Sequence, residues 1–257
     1  MPRHFNDFVR AAPEAQPRMP LMHSTTLQKF RPILEDDRLA PSRDLGYGQD
    51  LLFFFYGRPA YRPVNDTVST TQLRFYPVSL VIDADAVTTI ERVLPLDSGA
   101  FHTGLFKSHL DGFDLMDFEL EPSLEMAARV VGCFWRGSNE AYYWEKKFIP
   151  ISIEPSYHHE AEGYQSLLSD EGLRPFDDRR RTVEIQTVAS LDLAPGIVKA
   201  IVVPNEYVGN NPLLDAALQR WPTAKLRTYH TASSSPRDAT ELIFQTVHAF
   251  LSQYGSF

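Results

Sequence analysis

The chain has 257 residues, of which 43% are hydrophobic and 23% are charged, and its formal net charge is −8. These values are typical of a globular protein with enough residues for a sizeable core. The negative net charge excludes a general electrostatic attraction to nucleic acid, so a contact of that kind needs a local basic cluster. The single cysteine, Cys133, excludes an internal disulfide framework and a cysteine-rich zinc site.

The N-terminal region predicts no membrane or export signal. No apolar run in the sequence approaches the roughly 18 residues of a membrane span, and no basic-then-apolar pattern opens the chain. We therefore expect a cytoplasmic protein with no membrane partner. Residues 1–20 contain four prolines and little periodicity, so they predict an irregular lead-in, followed by a single domain over residues 21–257.

The elements predicted from hydrophobic periodicity mix strands and helices without a regular βα repeat. Two predicted helices begin near Thr25 or Thr26 and after Ser123. A third spans 212–220, and a fourth extends from near Pro236 to just before Gly255. The predicted strands lie at 51–56, 76–83, 88–95, 182–188, 197–204 and 225–231. This order predicts an α+β fold.

Polar side chains stand at the ends of apolar elements in three distant stretches. His23 and Ser24 directly precede the first predicted helix, where free amides hold polar groups. Arg58 follows the apolar strand "LLFFFY" between a glycine and a proline. Glu184 lies on an alternating strand that should expose its carboxylate on one face. Each has an ordinary structural explanation: a turn histidine, a surface-paired arginine, a solvated glutamate.

Together the three stretches resemble a known family. "LMHSTTLQKFRPILEDDRL" looks like the opening of ADP-ribosyltransferases, and "FFFYGRPAY" resembles the strand-then-arginine segment of the DarT family, toxins that ADP-ribosylate DNA. "RRRTVEIQTVASLDLAPGIVKAIVVPN" resembles the last motif of that family, which contains the catalytic glutamate. The resemblance implies a split mixed or antiparallel β-sheet core with flanking helices, and mono-ADP-ribosyl transfer from NAD.

The resemblance also implies roles for individual residues. Glu184 and Arg58 would be catalytic: the carboxylate faces the oxocarbenium character that develops on the ribose, and the guanidinium suits a pyrophosphate. A tyrosine near Arg58 would stack on the nicotinamide ring. The residues assigned to NAD binding are His23, Ser24, Thr25, Tyr56, Arg58 and Tyr61. NAD is the expected substrate, and no metal is expected.

The segment at roughly 155–182, expected to be a loop, precedes the glutamate and would select the acceptor. The basic triplet Arg179, Arg180 and Arg181 would hold phosphates of a DNA or RNA acceptor, while Tyr157 or Tyr164 would stack on a base. A toxin or phage-defence effector, with an antitoxin or immunity protein as partner, fits this interpretation. Three alternatives remain: a protein acceptor, an enzyme resembling RNA 2′-phosphotransferases, and a non-catalytic binding module.

The stretch "PLDSGAF" at 95–101 has two interpretations. It places Asp97, Ser98 and Gly99 in a turn after a predicted strand. The turn either simply connects two elements or forms a second wall of the pocket.

Overall fold

The protein is described by a computed structural model that covers residues 4–60, 72–144, 151–154, 157–170, 179–209, 211–231 and 235–257. The strands within these ranges are β1 (Leu21–Thr26), β2 (Arg38–Leu39), β3 (Ser42–Arg43), β4 (Asp50–Tyr56), β5 (Pro77–Ile82), β6 (Arg92–Leu94), β7 (Glu184–Thr187), β8 (Leu191–Asp192), β9 (Val198–Pro204) and β10 (Lys225–Tyr229). The helices are α1 (His4–Arg10), α2 (Leu27–Asp36), α3 (Ser98–His102), α4 (Lys107–Leu110), α5 (Leu124–Phe134), α6 (Asn139–Trp144), α7 (His159–Ser169), α8 (Pro212–Arg220) and α9 (Ala239–Tyr254).

A mainly antiparallel central sheet organises the molecule. Its strand order is β10–β9–β5–β1–β4–β7–β6, with β3 added beside β4, and β2 pairs separately with β8. Among these pairs only β9 and β10 run parallel. Helices flank the sheet, so the predicted α+β class and mixed, largely antiparallel sheet are confirmed.

The sheet is split between β1 and β4. These strands have six and seven residues, yet they pair only at Leu21–Tyr56 and Met22–Phe55. On its other side β1 pairs along its whole length with β5. The two strands therefore separate after Met22 and leave an opening inside the sheet.

Local signals account for the elements that position this opening. Thr26 caps α2 by accepting a hydrogen bond from the amide of Lys29, and Ser123 caps α5 in the same way. Helix α8 has the predicted bounds, with a capping Asn211 followed by a proline. Helix α9 is followed by Gly255, whose φ of 81° is the left-handed conformation that glycine adopts without strain.

Three expectations about secondary structure are wrong. The lead-in is not irregular throughout, because α1 buries Phe5 and Val9 in the core. The strand expected at 88–95 forms only as β6. The segment at 155–182 is not a continuous loop, since it contains α7, although residues 155–156 and 171–178 lie outside the described part.

No helix within the described ranges is long and apolar enough to cross a membrane.

Candidate functional site

The three distant motifs occupy three adjacent strands. His23 lies on β1, Arg58 follows β4, and Glu184 opens β7, and these strands are neighbours in the order β1–β4–β7. Met22, Phe55 and Glu184 form one row across them. Two strand spacings separate the ends of the row, roughly 10 Å. Glu184 thus lies level with the closed end of the split.

The carboxylate of Glu184 is buried and held by hydrogen bonds. Its side of β7 was expected to face solvent, but Glu184 is only 2% exposed, and that expectation is wrong. Oε1 accepts hydrogen bonds from Ser98 Oγ and from Gln186 Nε2, both at 2.7 Å. Oε2 accepts one from the backbone amide of Ser98 at 3.3 Å.

Burial changes the acidity of this group. Removal from water, and secondarily the nearby Asp97 carboxylate, raises the pKa of Glu184 from 4.5 to about 8. The hydrogen bonds from Gln186 and Ser98 act in the opposite direction, because they stabilise the charged form. Glu184 is therefore largely protonated at neutral pH in the unliganded protein. A titratable group perturbed in this way is typical of functional sites.

A second layer of side chains surrounds the carboxylate. Arg92 Nη1 donates to Gln186 Oε1 at 3.4 Å, which turns the Gln186 amide so that its nitrogen faces Glu184. The same guanidinium lies 4.6 Å from the ring centre of Tyr47. The Tyr47 hydroxyl is buried beside Ser98 and Gln186, at a geometry that falls short of a hydrogen bond.

His23 lies in the opening between β1 and β4. Strand alternation points its side chain to the opposite face of the sheet from Glu184, where its ring packs edge-on against Phe54 at 6.0 Å. Its Nδ1 is 3.1 Å from the carbonyl oxygen of Phe53. Because a carbonyl only accepts, Nδ1 carries the proton, and Nε2 of the neutral ring is an acceptor. Burial lowers the pKa of His23 and favours this neutral form.

The two residues after His23 alternate across the sheet. Ser24 shares the face of Glu184, is half-buried, and donates its hydroxyl to Ser79 Oγ at 3.1 Å. Thr25 is 6% exposed on the other face. The structure therefore places Ser24 closer than Thr25 to the surface on which Glu184 lies.

Arg58 is not on an open surface. The residue is 1% exposed, and its Nη1 donates to the carbonyl oxygen of Tyr142 at 2.6 Å. Its guanidinium carbon lies 5.4 Å from the ring centres of both Tyr142 and Phe244. The side chain is surrounded by protein rather than presented to a phosphate.

The tyrosines predicted to stack on a nicotinamide ring or a base differ in their exposure to solvent. Tyr56 is fully buried and its hydroxyl accepts from the amide of Met19, so its assignment as a nicotinamide platform is wrong. Tyr164 is also fully buried: it donates to the carbonyl of Pro95 and packs in the core. Its assignment to base stacking is likewise wrong. Tyr157 is 60% exposed, and Tyr61 lies outside the described residues.

Two arginines of the basic triplet, Arg180 and Arg181, donate hydrogen bonds to backbone carbonyls near the end of α7. Arg180 is 4% exposed and its Nη1 donates to the carbonyl of Asp170, just past the end of α7. Arg181 Nη2 donates to the carbonyl of Leu168 at 3.3 Å. These guanidiniums satisfy carbonyls that a helix end leaves without partners. A role of Arg180 as a surface phosphate ligand is therefore wrong.

Sequence reasoning missed the residues that hold Glu184. Ser98 belongs to the "PLDSGAF" turn, for which a pocket-wall role was one of two interpretations, while Arg92 carried no signal. The signal for Gln186 was the polar alternation of Thr182, Glu184 and Gln186 between apolar neighbours, which was interpreted as an exposed face. Within the described residues, no group of three or more His, Cys, Asp or Glu side chains could hold a metal ion.

A comparison with solved structures finds a distant structural likeness. No protein-family model matches the sequence, and no curated protein sequence is significantly similar to it. Among solved structures, the chain is similar to DarT from Thermus sp. 2.9, determined in complex with ADP-ribosylated single-stranded DNA. The superposition covers 84% of this chain and 96% of that chain, with 11% sequence identity and a TM-score of 0.39. A likeness at that level is too distant to support a statement about activity or ligand.

Proposed function

We propose that the protein is a mono-ADP-ribosyltransferase that uses NAD to modify a nucleic acid. The observation that carries the proposal is the desolvated carboxylate of Glu184, held in one orientation level with the closed end of a split in the sheet. His23 and Ser24 lie on the strand that borders the split. These residues belong to two of the sequence stretches that resemble ADP-ribosyltransferases.

The proposed chemistry uses the charge of Glu184. The bond between ribose C1′ and the pyridinium nitrogen breaks, and its electron pair leaves with neutral nicotinamide. Positive character then develops on the ribose, and an ionised carboxylate nearby stabilises it. The acceptor atom forms a new bond to C1′, and its proton passes to a base, for which Glu184 is the candidate.

Substrate binding would itself ionise Glu184. In the unliganded protein burial keeps the pKa of this carboxyl near 8. The pyridinium ring of NAD carries a positive charge, and an opposite charge within a few ångströms favours the ionised form. The group would thus become charged when the cationic substrate arrives.

His23 would contribute an acceptor. The ring lies on the opposite face of the sheet from Glu184, so its Nε2 would receive a hydrogen bond from a hydroxyl of NAD that extends through the opening between β1 and β4. The ring is partly buried, and its lowered pKa keeps it neutral, so this lone pair stays available near pH 7. Ser24 would supply backbone and hydroxyl groups on the Glu184 face.

The acceptor part of the proposal rests on the motif resemblance and on the surface beside α7. Tyr157 is exposed there, and it is the remaining described candidate for base stacking. Of the basic triplet, Arg179 and Arg181 stay candidates for phosphate contacts. As a toxin or phage-defence effector, the enzyme would be controlled by an antitoxin or immunity partner.

The test is incubation of the purified protein with radiolabelled NAD and separate pools of DNA, RNA and protein. Label in a nucleic-acid pool, together with nicotinamide release, is the expected result. The variant Glu184→Gln should lower the rate by about 10²–10³-fold, whereas Glu241→Gln, an exposed glutamate on α9, should match the wild type. Label in protein alone would contradict the nucleic-acid acceptor, and no nicotinamide release from any pool would favour a non-catalytic module.

A further inference from the structure

Ser98 contacts both oxygens of the Glu184 carboxylate. Its hydroxyl donates to Oε1 at 2.7 Å and its backbone amide donates to Oε2 at 3.3 Å. Ser98 is 3% exposed, and the short helix α3 begins with it. Two donors from a single residue, directed at different oxygens, fix the plane of the carboxylate as well as its position.

The two oxygens of Glu184 are not equally occupied. Oε1 accepts two short hydrogen bonds, from Ser98 and from Gln186, and a carboxylate oxygen has two lone pairs. Within the described residues, Oε2 accepts only the longer bond from the Ser98 amide. In the ionised form, the acceptor capacity that remains for a ligand is therefore on Oε2.

The same contacts tie Ser98 into the second layer. Gln186 Nε2 also approaches Ser98 Oγ at 3.3 Å, so one amide group faces both the hydroxyl and the carboxylate. The charged and titratable groups around the carboxylate are Asp97 before α3, Tyr47 from the segment between β3 and β4, and Arg92 on β6. Within the described residues, Ser98 is the one that contacts both carboxylate oxygens of Glu184.

We propose that Ser98 is a positioning residue, which holds Glu184 through both oxygens and leaves Oε2 as the atom that meets the ligand. The inference rests on the proposed function for the identity of the ligand. The hold itself is a property of the unliganded protein. It is therefore measurable without any turnover.

The first test is a carbon-13 NMR titration of the Glu184 side-chain carboxyl in the full-length protein. Ser98→Ala removes a donor to the charged form, so the pKa of Glu184 should rise by about 1–2. Ser256→Ala, a change at a serine that is also buried but lies near the C-terminus, should leave it unaltered. An unchanged Glu184 titration in Ser98→Ala would overturn the proposal.

A second variant protects the test against loss of folding. Ser98→Cys replaces the hydroxyl by a weak thiol donor of similar shape, and it should raise the same pKa. Ser98→Thr retains a hydroxyl and should restore the wild-type titration. If the pKa of Glu184 follows the donor strength of the side chain at position 98, the result supports the positioning role of Ser98. Equal pKa values of Glu184 in all three variants would contradict it.

The second test measures nicotinamide release across pH. The rise of kcat/KM with pH should move upward in Ser98→Ala in step with the NMR titration. Above this rise, where Glu184 is ionised in both proteins, the rate should still be about 10-fold lower, because the carboxylate is less well oriented. No nicotinamide release by the wild type would refute the proposed function, while the NMR result would still decide whether Ser98 holds Glu184. A rate in Ser98→Ala equal to that of the wild type would refute the positioning role alone.

Discussion

Replacing Glu184 by Gln is expected to change how the stability of the protein depends on pH. In the folded protein the carboxyl has a pKa near 8, whereas its ordinary value is 4.5. Between these values the unfolded chain has released the proton and the folded chain still binds it. The free energy of unfolding should therefore fall as pH rises, by about 1.4 kcal/mol per pH unit. Glutamine does not titrate, so this slope should vanish in the variant.

The size of the effect follows from this slope. From pH 5 to pH 8, the stability of Glu184→Gln relative to wild type should rise by roughly 3–4 kcal/mol, because the slope flattens near each of the two pKa values. The carboxyl is fully buried, so no discount for solvent screening applies. A constant offset of about 1–3 kcal/mol acts against the variant, because the new amide nitrogen would face the Ser98 amide or the donors at Oε1. That offset does not change with pH, so it is separable from the slope.

The assay is urea unfolding of both proteins at pH values from 5 to 8.5. The difference between their unfolding free energies removes the titration of all other groups that the two chains share. Glu241→Gln, at an exposed position, is the control for the same chemical change outside the site. A flat difference for Glu184→Gln as well would show that burial does not raise the pKa of Glu184, and the electrostatic argument for the site would fail.

Three further predictions concern single side chains. His23→Asn keeps a donor for the Phe53 carbonyl but loses the Nε2 acceptor, so NAD should bind about 10-fold more weakly. Calorimetry measures this affinity, and an unchanged value would show that His23 does not contact NAD. Arg58→Ala removes the hydrogen bond to the Tyr142 carbonyl and empties a buried volume, so urea unfolding should show a loss of about 3–5 kcal/mol. A stable variant that has lost NAD affinity would instead support the phosphate role. Tyr157→Ala, at an exposed position, should preserve stability and nicotinamide release but lower ADP-ribose transfer to nucleic acid several-fold. If the variant and the wild type transfer ADP-ribose equally, the acceptor binds elsewhere.

Much of the fold was predictable because local signals agree with its elements. The apolar run of β4, the serine cap of α5 and the capped start of α8 are visible in the sequence. The partners of Glu184 are not visible, since Ser98 is 86 positions away and reaches the carboxylate only when β6 lies beside β7. Sequence distance conceals a contact that strand pairing creates.

Local sequence patterns also did not predict which aromatic and basic side chains are buried. Tyr56 and Tyr164 stood beside candidate motifs, yet both rings are buried. Tyr56 packs near Tyr142, and Tyr164 packs against Phe5 and Phe134. Arg180 belonged to a basic triplet that suggests a solvated surface, but the end of α7 engages its guanidinium. An exposed and a buried aromatic or basic residue look alike in sequence, because their difference comes from elements distant in the chain.

The separation of β1 from β4 gives the interior of the sheet two edges that face each other. At such edges the main chain itself presents amide and carbonyl groups, and His23 already uses one of them, the Phe53 carbonyl. A molecule lying between the strands would be recognised largely by backbone atoms. Side-chain replacement leaves those atoms in place, so an alanine scan of β1 and β4 would understate the contact surface. Amide-to-ester substitution at single backbone positions would reveal it.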